Sequence, residues 1–420
     1  MREMKDSGVE WIGKIPRDWS VECLKYIYNK ANVGESIDKD YTTDDDNDYV
    51  FYTAGLKPIH TKYCDFPRNK YTKEHDLLLA RNGTPYVYLP NNNSVYSDHI
   101  IRISIENNVD RRFVRYSLQQ AIESLKVEVV SIATWSISLW KKQKLPLPQL
   151  VVQQRIADYL DSKCSQIDLI IEKQKQIIEK LKEYKTSLIT EVVTKGLDPN
   201  AKMKDSGVEW IGNYPQNWSL LKLKHNFGLK GRIGWQGLRS DEFIDDGPFL
   251  ITGTDFVNGY VNWNTCAHIS EERYMQDSNI HIKENDLLIT KDGTIGKVAI
   301  VKNCPPQVSL NSGVAIIRHT GLFPCFSKYF YYILKSNQFD LWFKLSDNGN
   351  STIKHLTQEK FYNFIYTCPP EIEQRQIADY LDSKLLLIDE SIAKKEQIIE
   401  KLQEYKKSLI YEVVTGKREV

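Results

Sequence analysis

Three short stretches carry the side chains best suited to touching another molecule. Arg81-Asn82-Gly83-Thr84 and Lys291-Asp292-Gly293-Thr294, the second running on to Lys297, each set a cation, an amide or carboxylate and a hydroxyl at a tight turn. Such a turn projects long side chains into a groove, and its glycine lets the backbone come close to a phosphate. The third stretch, Lys230 to Arg239, places Arg232, Trp235, Gln236 and Arg239 in a glycine-rich frame. Glutamine can read adenine, and arginine guanine, from the major groove. An Asn-Gly or Asp-Gly step also makes a plain hairpin turn, so each loop alone leaves both readings open.

Catalytic patterns are missing. Gly293-Thr-Ile-Gly-Lys297 has the wrong spacing for a phosphate-binding G-x-x-x-x-G-K-[ST] loop, and neither G-x-G-x-x-G nor H-E-x-x-H occurs. Cys368-Pro-Pro-Glu371 lacks the Asn and the aromatic of an adenine methyltransferase motif. The eight histidines have no metal-ligand spacing, and Asp44–Asp48 reads as a solvated loop. Seven cysteines, odd in number and never C-x-x-C, argue against a disulfide framework or structural zinc and for reduced, packed thiols. The chain is therefore expected to be neither an enzyme nor a metalloprotein.

Composition narrows the class without choosing a partner. The 420 residues carry 56 Lys+Arg against 55 Asp+Glu, a net charge of +1. Binding to DNA would have to rest on a local surface, because the whole molecule offers no excess of positive charge. No apolar run approaches the roughly 18 residues of a membrane span. The polar start Met1-Arg-Glu-Met-Lys-Asp lacks the apolar centre of a signal peptide, so a cytoplasmic location is expected.

The elements that must position these loops are written twice. Met4-Lys-Asp-Ser-Gly-Val-Glu-Trp-Ile-Gly13, running on to Trp19, recurs from Met203 to Trp218 at an offset of 199 (203 − 4). Ile156-Ala-Asp-Tyr-Leu-Asp-Ser-Lys163 recurs as Ile377–Lys384 at an offset of 221 (377 − 156). Between them lie two diverged blocks, about 20–150 and 219–370, in which Asp76-Leu-Leu-Leu-Ala-Arg-Asn-Gly-Thr84 still aligns with Asp286-Leu-Leu-Ile-Thr-Lys-Asp-Gly-Thr294. The order is head, variable block, helix, then the same again. Since the start of the chain resembles what should follow Thr415, the repeat reads as cyclic. Its termini are expected to lie close together and to tolerate circular permutation.

Segment 151–195 is free of internal Gly and Pro, and its apolar residues recur every three or four positions. Leu160, Ile167, Ile171, Ile178, Leu181 and Leu188 predict a long helix with a coiled-coil seam. Leu381, Ile388, Ile392, Ile399, Leu402 and Leu409 predict its second copy, and polar Gln174 and Lys395 interrupt both rows at one level. Proline ahead of each helix marks its start, and Gly196 and Gly416 mark its end. A short break is expected near Ser162–Cys164 and Ser383–Leu385. The doubled Ile170-Ile171, Ile177-Ile178 and Ile398-Ile399 make the apolar stripe wider than a two-stranded seam needs, which leaves room for partner helices.

Both variable blocks alternate short β-rich runs with turns, followed by short helices around 111–125 and 326–338. The expected class is α+β: two pseudo-two-fold-related recognition domains, each a mixed, bent β-sheet with short helices, separated by two long helices forming an antiparallel coiled coil. The boundaries read as 1–150, 151–198, 199–370 and 371–420.

In this order and duplication the chain resembles the specificity subunit of type I restriction–modification systems. The residues that carry the resemblance are Lys-Asp-Ser-Gly-Val-Glu-Trp-Ile-Gly at 5–13 and 204–212, the helix starts Pro148…Gln153-Gln-Arg-Ile156 and Pro369…Gln374-Arg-Gln-Ile377, and Asp286–Lys297. Two positions depart from the pattern: Val152 stands where Glu373 supplies the usual glutamate, and Arg81-Asn-Gly-Thr-Pro85 lacks the Gly-Lys that follows in the second copy. The resemblance implies that each variable domain reads one half of a split, asymmetric DNA target, with the helices as spacer. It further implies two modification (methyltransferase) subunits docked on the helices and restriction (translocase and nuclease) subunits around that core. S-adenosylmethionine, ATP and Mg would belong to those partners, and this chain would hold no cofactor. The near-neutral charge motivates an alternative, a coiled-coil adaptor with two ligand-binding lobes and no DNA role.

Overall fold

The structure is a computed structural model that describes residues 2–82, 85–124, 135–232, 238, 240–321, 323–346 and 356–420. Gly83, Thr84, Trp235, Gln236 and Arg239 lie outside the described residues. The chain divides into two compact units, Met1–Gln174 with Glu396–Val420, and Lys175–Lys395. The divisions fall beside Gln174 and Lys395, where polar residues interrupt the apolar rows.

Each head folds as a β-hairpin, Met4–Asp6 with Lys14–Pro16 in the first unit and Met203–Asp205 with Asn213–Pro215 in the second. The repeated Asp-Ser-Gly explains the turn. The carboxylates of Asp6 and Asp205 accept the N–H of Gly8 and Gly207 at 3.0 Å, and those glycines sit at φ +68° and +64°, a region that penalises any side chain with a Cβ. After each head a two-stranded ribbon, Ser20–Cys23 with Lys144–Leu147 or Ser219–Lys222 with Ile365–Cys368, ties the start of the variable block to its end. The block is thus a loop of chain hung from one ribbon, and the long helix follows at once.

Inside each block the chain forms two sheets rather than one bent sheet. In the first unit the strands Tyr28–Val33, Ile100–Ile105, Asp76–Ala80 and Val87–Tyr88 form an antiparallel sheet in that order. The second unit repeats it with Phe227–Gly231, Val314–His319, Leu287–Thr290 and Val298–Ile300, then adds Tyr260–Val261 and Phe256–Val257 at the far edge. The other sheet of each unit contains one parallel pair, Val95–Tyr96 beside Tyr49–Tyr52 and Val308–Leu310 beside Ile244–Ile251. Strand order needs these long-range pairings, which local alternation of residues does not encode.

The first long helix, Leu150–Lys195, and the second, Glu371–Val414, run without the expected breaks. Cys164 is buried in the packed face, and Ser383 donates its hydroxyl to the carbonyl of Tyr380 at 2.8 Å, so the helix accommodates both polar positions. Within the first unit the early half of the first helix packs on the late half of the second: Leu160, Ile167 and Ile171 with Ile399, Leu402 and Leu409. Within the second unit the halves exchange roles, with Leu181 and Leu188 packing among Leu381, Ile388 and Ile392. Ile178 is buried as well. That exchange is antiparallel pairing. Lys406 meets Asp168 at 2.7 Å and Lys185 meets Asp389 at 2.5 Å. Moving 17 residues up one helix (185 − 168) moves 17 down the other (406 − 389), and each pair is the other's copy at the 221-residue offset. Exposed pairs of this kind stabilise weakly, so their weight lies in fixing register.

Two helix-start devices lock the variable blocks to the helices. Gln153 is buried, donates to Pro148 O at 2.7 Å and accepts from the N–H of Asp110 at 2.9 Å. Its copy Gln374 donates to Pro369 O at 2.8 Å and accepts from the N–H of Phe326 at 2.8 Å. About two turns later Asp161 accepts from Tyr116 Oη at 2.7 Å, and Asp382 from Tyr332 Oη at 2.5 Å. Burial, reinforced by those carboxylates, pushes both phenols well above the usual tyrosine range. The two tyrosines sit on the helices Arg111–Ser124 and Ser327–Leu334; the second of these is followed by a separate helix, Asn337–Ser346, where the sequence predicted one.

Candidate nucleic-acid interface

Each unit presents a β-hairpin whose tip holds the predicted cation. Both hairpins begin with the same local device. In Lys73-Glu-His-Asp76 the buried carboxylate of Asp76 accepts the N–H of Lys73 at 2.8 Å, and in Lys283-Glu-Asn-Asp286 that of Asp286 accepts the N–H of Lys283 at 2.7 Å. The residue opposite differs. Ser104 faces Asp76 and bonds to it, whereas Asp286 grips the guanidinium of Arg318 at 2.8 and 2.5 Å. A paired aspartate therefore sets where each strand begins, and five residues later the chain reaches Arg81 or Lys291.

At the first tip the Arg81 side chain is exposed, while its backbone N–H donates to His99 O at 2.7 Å. Asn82 is partly buried, with its amide nitrogen 2.7 Å from His99 Nδ1. At the second tip Thr290 organises the turn: its hydroxyl donates to Thr294 O at 2.5 Å and accepts the N–H of Lys297 at 3.0 Å. Gly293 at φ +69° has nothing within 4 Å of where a Cβ would stand, so its need is conformational. Gly296 at φ +85° lies against the ring of Phe339, where a Cβ would come to 3.1 Å. Thr294 and Lys297 are exposed, and Lys291 and Asp292 are partly so. The structure thus brings Lys291, Asp292, Gly293, Thr294 and Lys297 together on one loop, and Arg81 with Asn82 on the other.

Arg232 is a correction. Its side chain is 1% exposed, with Nε donating to Leu310 O at 3.0 Å and a terminal nitrogen to Ser309 Oγ at 3.1 Å. Burial lowers its pKa, and its other terminal nitrogen has no partner among the described residues. The sequence reading set Arg232 in a flexible glycine frame, but it follows directly on the strand Phe227–Gly231, where the chain turns its side chain inward. Lys230, Thr357 and Gln358 are the surface residues the sequence reading missed around this tip. Lys230 was visible as the alternating exposed position of its strand; Thr357 and Gln358 carried no local signal.

Along the long helices the exposed apolar residues repeat with the fold. Ile177 and Tyr184 in the first helix and Ile398 and Tyr405 in the second lie in the same phase at the 221-residue offset, all more than a third exposed. Each doubled isoleucine thus splits its two faces, Ile171 and Ile178 inward, Ile170 and Ile177 outward. No helix among the described residues is long and apolar enough to cross a membrane, and no group of three His, Cys, Asp or Glu among them is placed to hold a metal ion. All seven cysteines are free, Cys64 alone among them exposed, and burial pushes the Cys266 thiol up to about 12.

A duplicated α+β unit carried on paired long helices, with a cationic hairpin in each, defines a class of sequence-reading subunits. The family model described as the type I restriction modification DNA specificity domain matches the chain twice, over residues 16–183 and 236–404, and the chain belongs to that family. It is 22% identical over 426 residues to the specificity subunit of the type I restriction enzyme MjaVIII from Methanocaldococcus jannaschii, covering 96% of this chain and 94% of that protein. It is 25% identical over 263 residues to the EcoBI specificity subunit from Escherichia coli, covering 60% of this chain and about half, 54%, of that relative. The fold is shared with a chain from a structure described as the basis of complex assembly and conformational transition of the type I R-M system, at a TM-score of 0.70, 15% identity and coverage of 95% and 98%. It is shared as well with the HsdS subunit from Thermoanaerobacter tengcongensis, at 0.51, 15% identity and coverage of 98% and 100%.

Proposed function

We propose that this chain is the non-catalytic, cytoplasmic specificity subunit of a type I restriction–modification complex, with recognition domains at 1–150 and 199–370 and helices at 151–198 and 371–420. Each domain reads one half of a bipartite DNA target, and Arg81, Asn82, Lys291, Asp292, Thr294 and Lys297 lie on the reading loops. Because the two tips differ in chemistry, the half-sites differ, and the target is asymmetric. The helical pair acts as a ruler between them. The observation that carries this reading is the recurrence, in both units, of one strand–turn–strand frame with an unlike polar tip. A shared scaffold with divergent tips is what reading two different sequences requires.

The repeated outward apolar residues Ile177, Tyr184, Ile398 and Tyr405 supply docking ground for two modification subunits. Those subunits hold S-adenosylmethionine and extrude the target adenine, and restriction subunits bring ATP and Mg. Exchanging residues 219–370 for the block of a relative tests the reading. In the complex with its modification subunits, methylome sequencing should show one half-site replaced and the other retained. A change in both halves, or DNA binding without sequence preference or salt dependence, would overturn it.

A further inference from the structure

The strand Phe227–Gly231, the turn after Leu287–Thr290 and the short helix Gln358–Tyr362 enclose a cavity of about 210 Å³ in the second unit. Ile289 and Phe361 contribute to an apolar floor, while Lys230, Lys291, Asp292 and Gln358 stand around it. The walls are tied together: the N–H of Leu356 donates to Lys291 O at 3.1 Å, and that of Leu229 to Tyr362 Oη at 3.2 Å. Gly231 keeps the space open, since a Cβ there would stand 3.4 Å from the Lys291 ammonium and 3.3 Å from Val314 O. Neither Lys230 nor Lys291 has a hydrogen-bond or ion-pair partner for its ammonium among the described residues.

Strand register locates the same place in the first unit. Lys230 pairs with Ile316, which pairs with Leu288; Asn32 pairs with Arg102, which pairs with Leu78. Asn32 therefore stands where Lys230 does, Val33 where Gly231 does, and Arg81 where Lys291 does. The scaffold is common and the lining is not, as expected where each unit is matched to a different ligand surface.

The lining selects among base pairs. A lysine ammonium only donates, and in the major groove guanine alone presents two acceptors side by side, O6 and N7. The adjacent Asp292 carboxylate only accepts, which suits the N4 amino group of the paired cytosine. Gln358, the adenine-type side chain on the rim, spends one of its two amide hydrogens on Tyr362 Oη at 3.0 Å. We propose that this cavity reads a G·C pair in the half-site addressed by the second unit, Lys291 donating to guanine and Lys230 holding the neighbouring backbone phosphate. The inference rests on the DNA-reading function proposed above.

The test uses the full chain assembled with its modification subunits. The block exchange at 219–370 first identifies which half-site belongs to the second unit. Lys291→Met should then make one G·C position of that half degenerate and weaken the original site by roughly tenfold to a hundredfold. Lys291→Arg should keep guanine, and Lys291→Gln should shift the same position toward A·T. Lys230→Met should weaken all DNA alike and lower the slope of log affinity against log salt by about one. Unchanged recognition of the first half-site in every variant reports that the chain has folded and assembled. A wild-type second half-site without a G·C pair, or an unaltered sequence after Lys291→Met and Lys291→Gln, overturns the proposal while leaving the DNA-reading function in place. Absence of sequence preference in the wild-type complex would instead remove that function itself.

Discussion

At each long helix's end a glycine meets a tryptophan from a head. At Gly196, φ +78°, a Cβ would come to 3.0 Å from Trp218, and at Gly416, φ +69°, to 2.5 Å from Pro16 and 3.0 Å from Trp19. The two tryptophans are buried alike but satisfied unequally. Trp218 Nε1 donates to Glu373 Oε2 at 2.9 Å, whereas Trp19 Nε1 has no partner among the described residues. The cause is legible in the sequence, because Val152 stands at the position 221 residues before Glu373. Leaving a buried donor unpaired costs about 1–3 kcal/mol. Glu373→Val should therefore destabilise the chain by about 2 kcal/mol, while Val152→Glu should stabilise it; paired denaturant titrations of the two variants check the opposite signs. The departure at Val152 could be seen in the sequence, but its consequence could not, since Trp19 and Val152 meet only in the folded unit. The same holds for Arg232, whose residue type suggested a base contact and whose burial denies one.

Among elements, the long helices were the most legible part of the molecule. Their period and their terminal glycines emerged from residue spacing alone, because a helix is specified by neighbours three and four residues away. The sheets were less legible: short β-rich runs could be recognised in both blocks, but the order of the strands depends on partners far away in the chain. The hairpin tips fell between these cases: Gly83 and Thr84 lie outside the described residues, while in the stretch from Lys230 to Arg239 the candidate Arg232 is buried and Trp235, Gln236 and Arg239 lie outside the described residues. If the paired helices act as a ruler, inserting one heptad into both, at equivalent positions within each seam, adds about 10 Å of helix. The preferred separation of the half-sites should then lengthen by about three base pairs, or specific binding should be lost. Methylome sequencing of cells carrying the lengthened chain reads this directly; unchanged spacing would exclude the ruler.

For the molecule as a whole, the repeat is closed rather than open. The second unit is one uninterrupted stretch, while the first is completed by residues from both chain ends. Lys417 Nζ donates to Ile12 O at 2.8 Å, and Val420 packs in the cluster that holds Ile12 and Trp19. The exposed connection Leu197–Asn200, between the first helix and the second head, is the natural counterpart of that open junction. A chain permuted to begin at Pro199, with its original ends joined by a short Gly-Ser linker, should fold, assemble and methylate the same target. Loss of cooperative thermal unfolding in the permuted chain would show that the ends matter beyond their proximity.

The same arrangement bears on synthesis at the ribosome, where domains usually mature in the order they emerge. Here the first unit to be started is the last to be finished, because Glu396–Val420 supplies part of its packing. A nascent or prematurely stopped polypeptide ending near Lys395 would hold a finished second unit and leave Ile167 and Ile171 exposed to water. Quality control acting on such fragments would meet its target at the amino-terminal end, although the missing residues lie at the other.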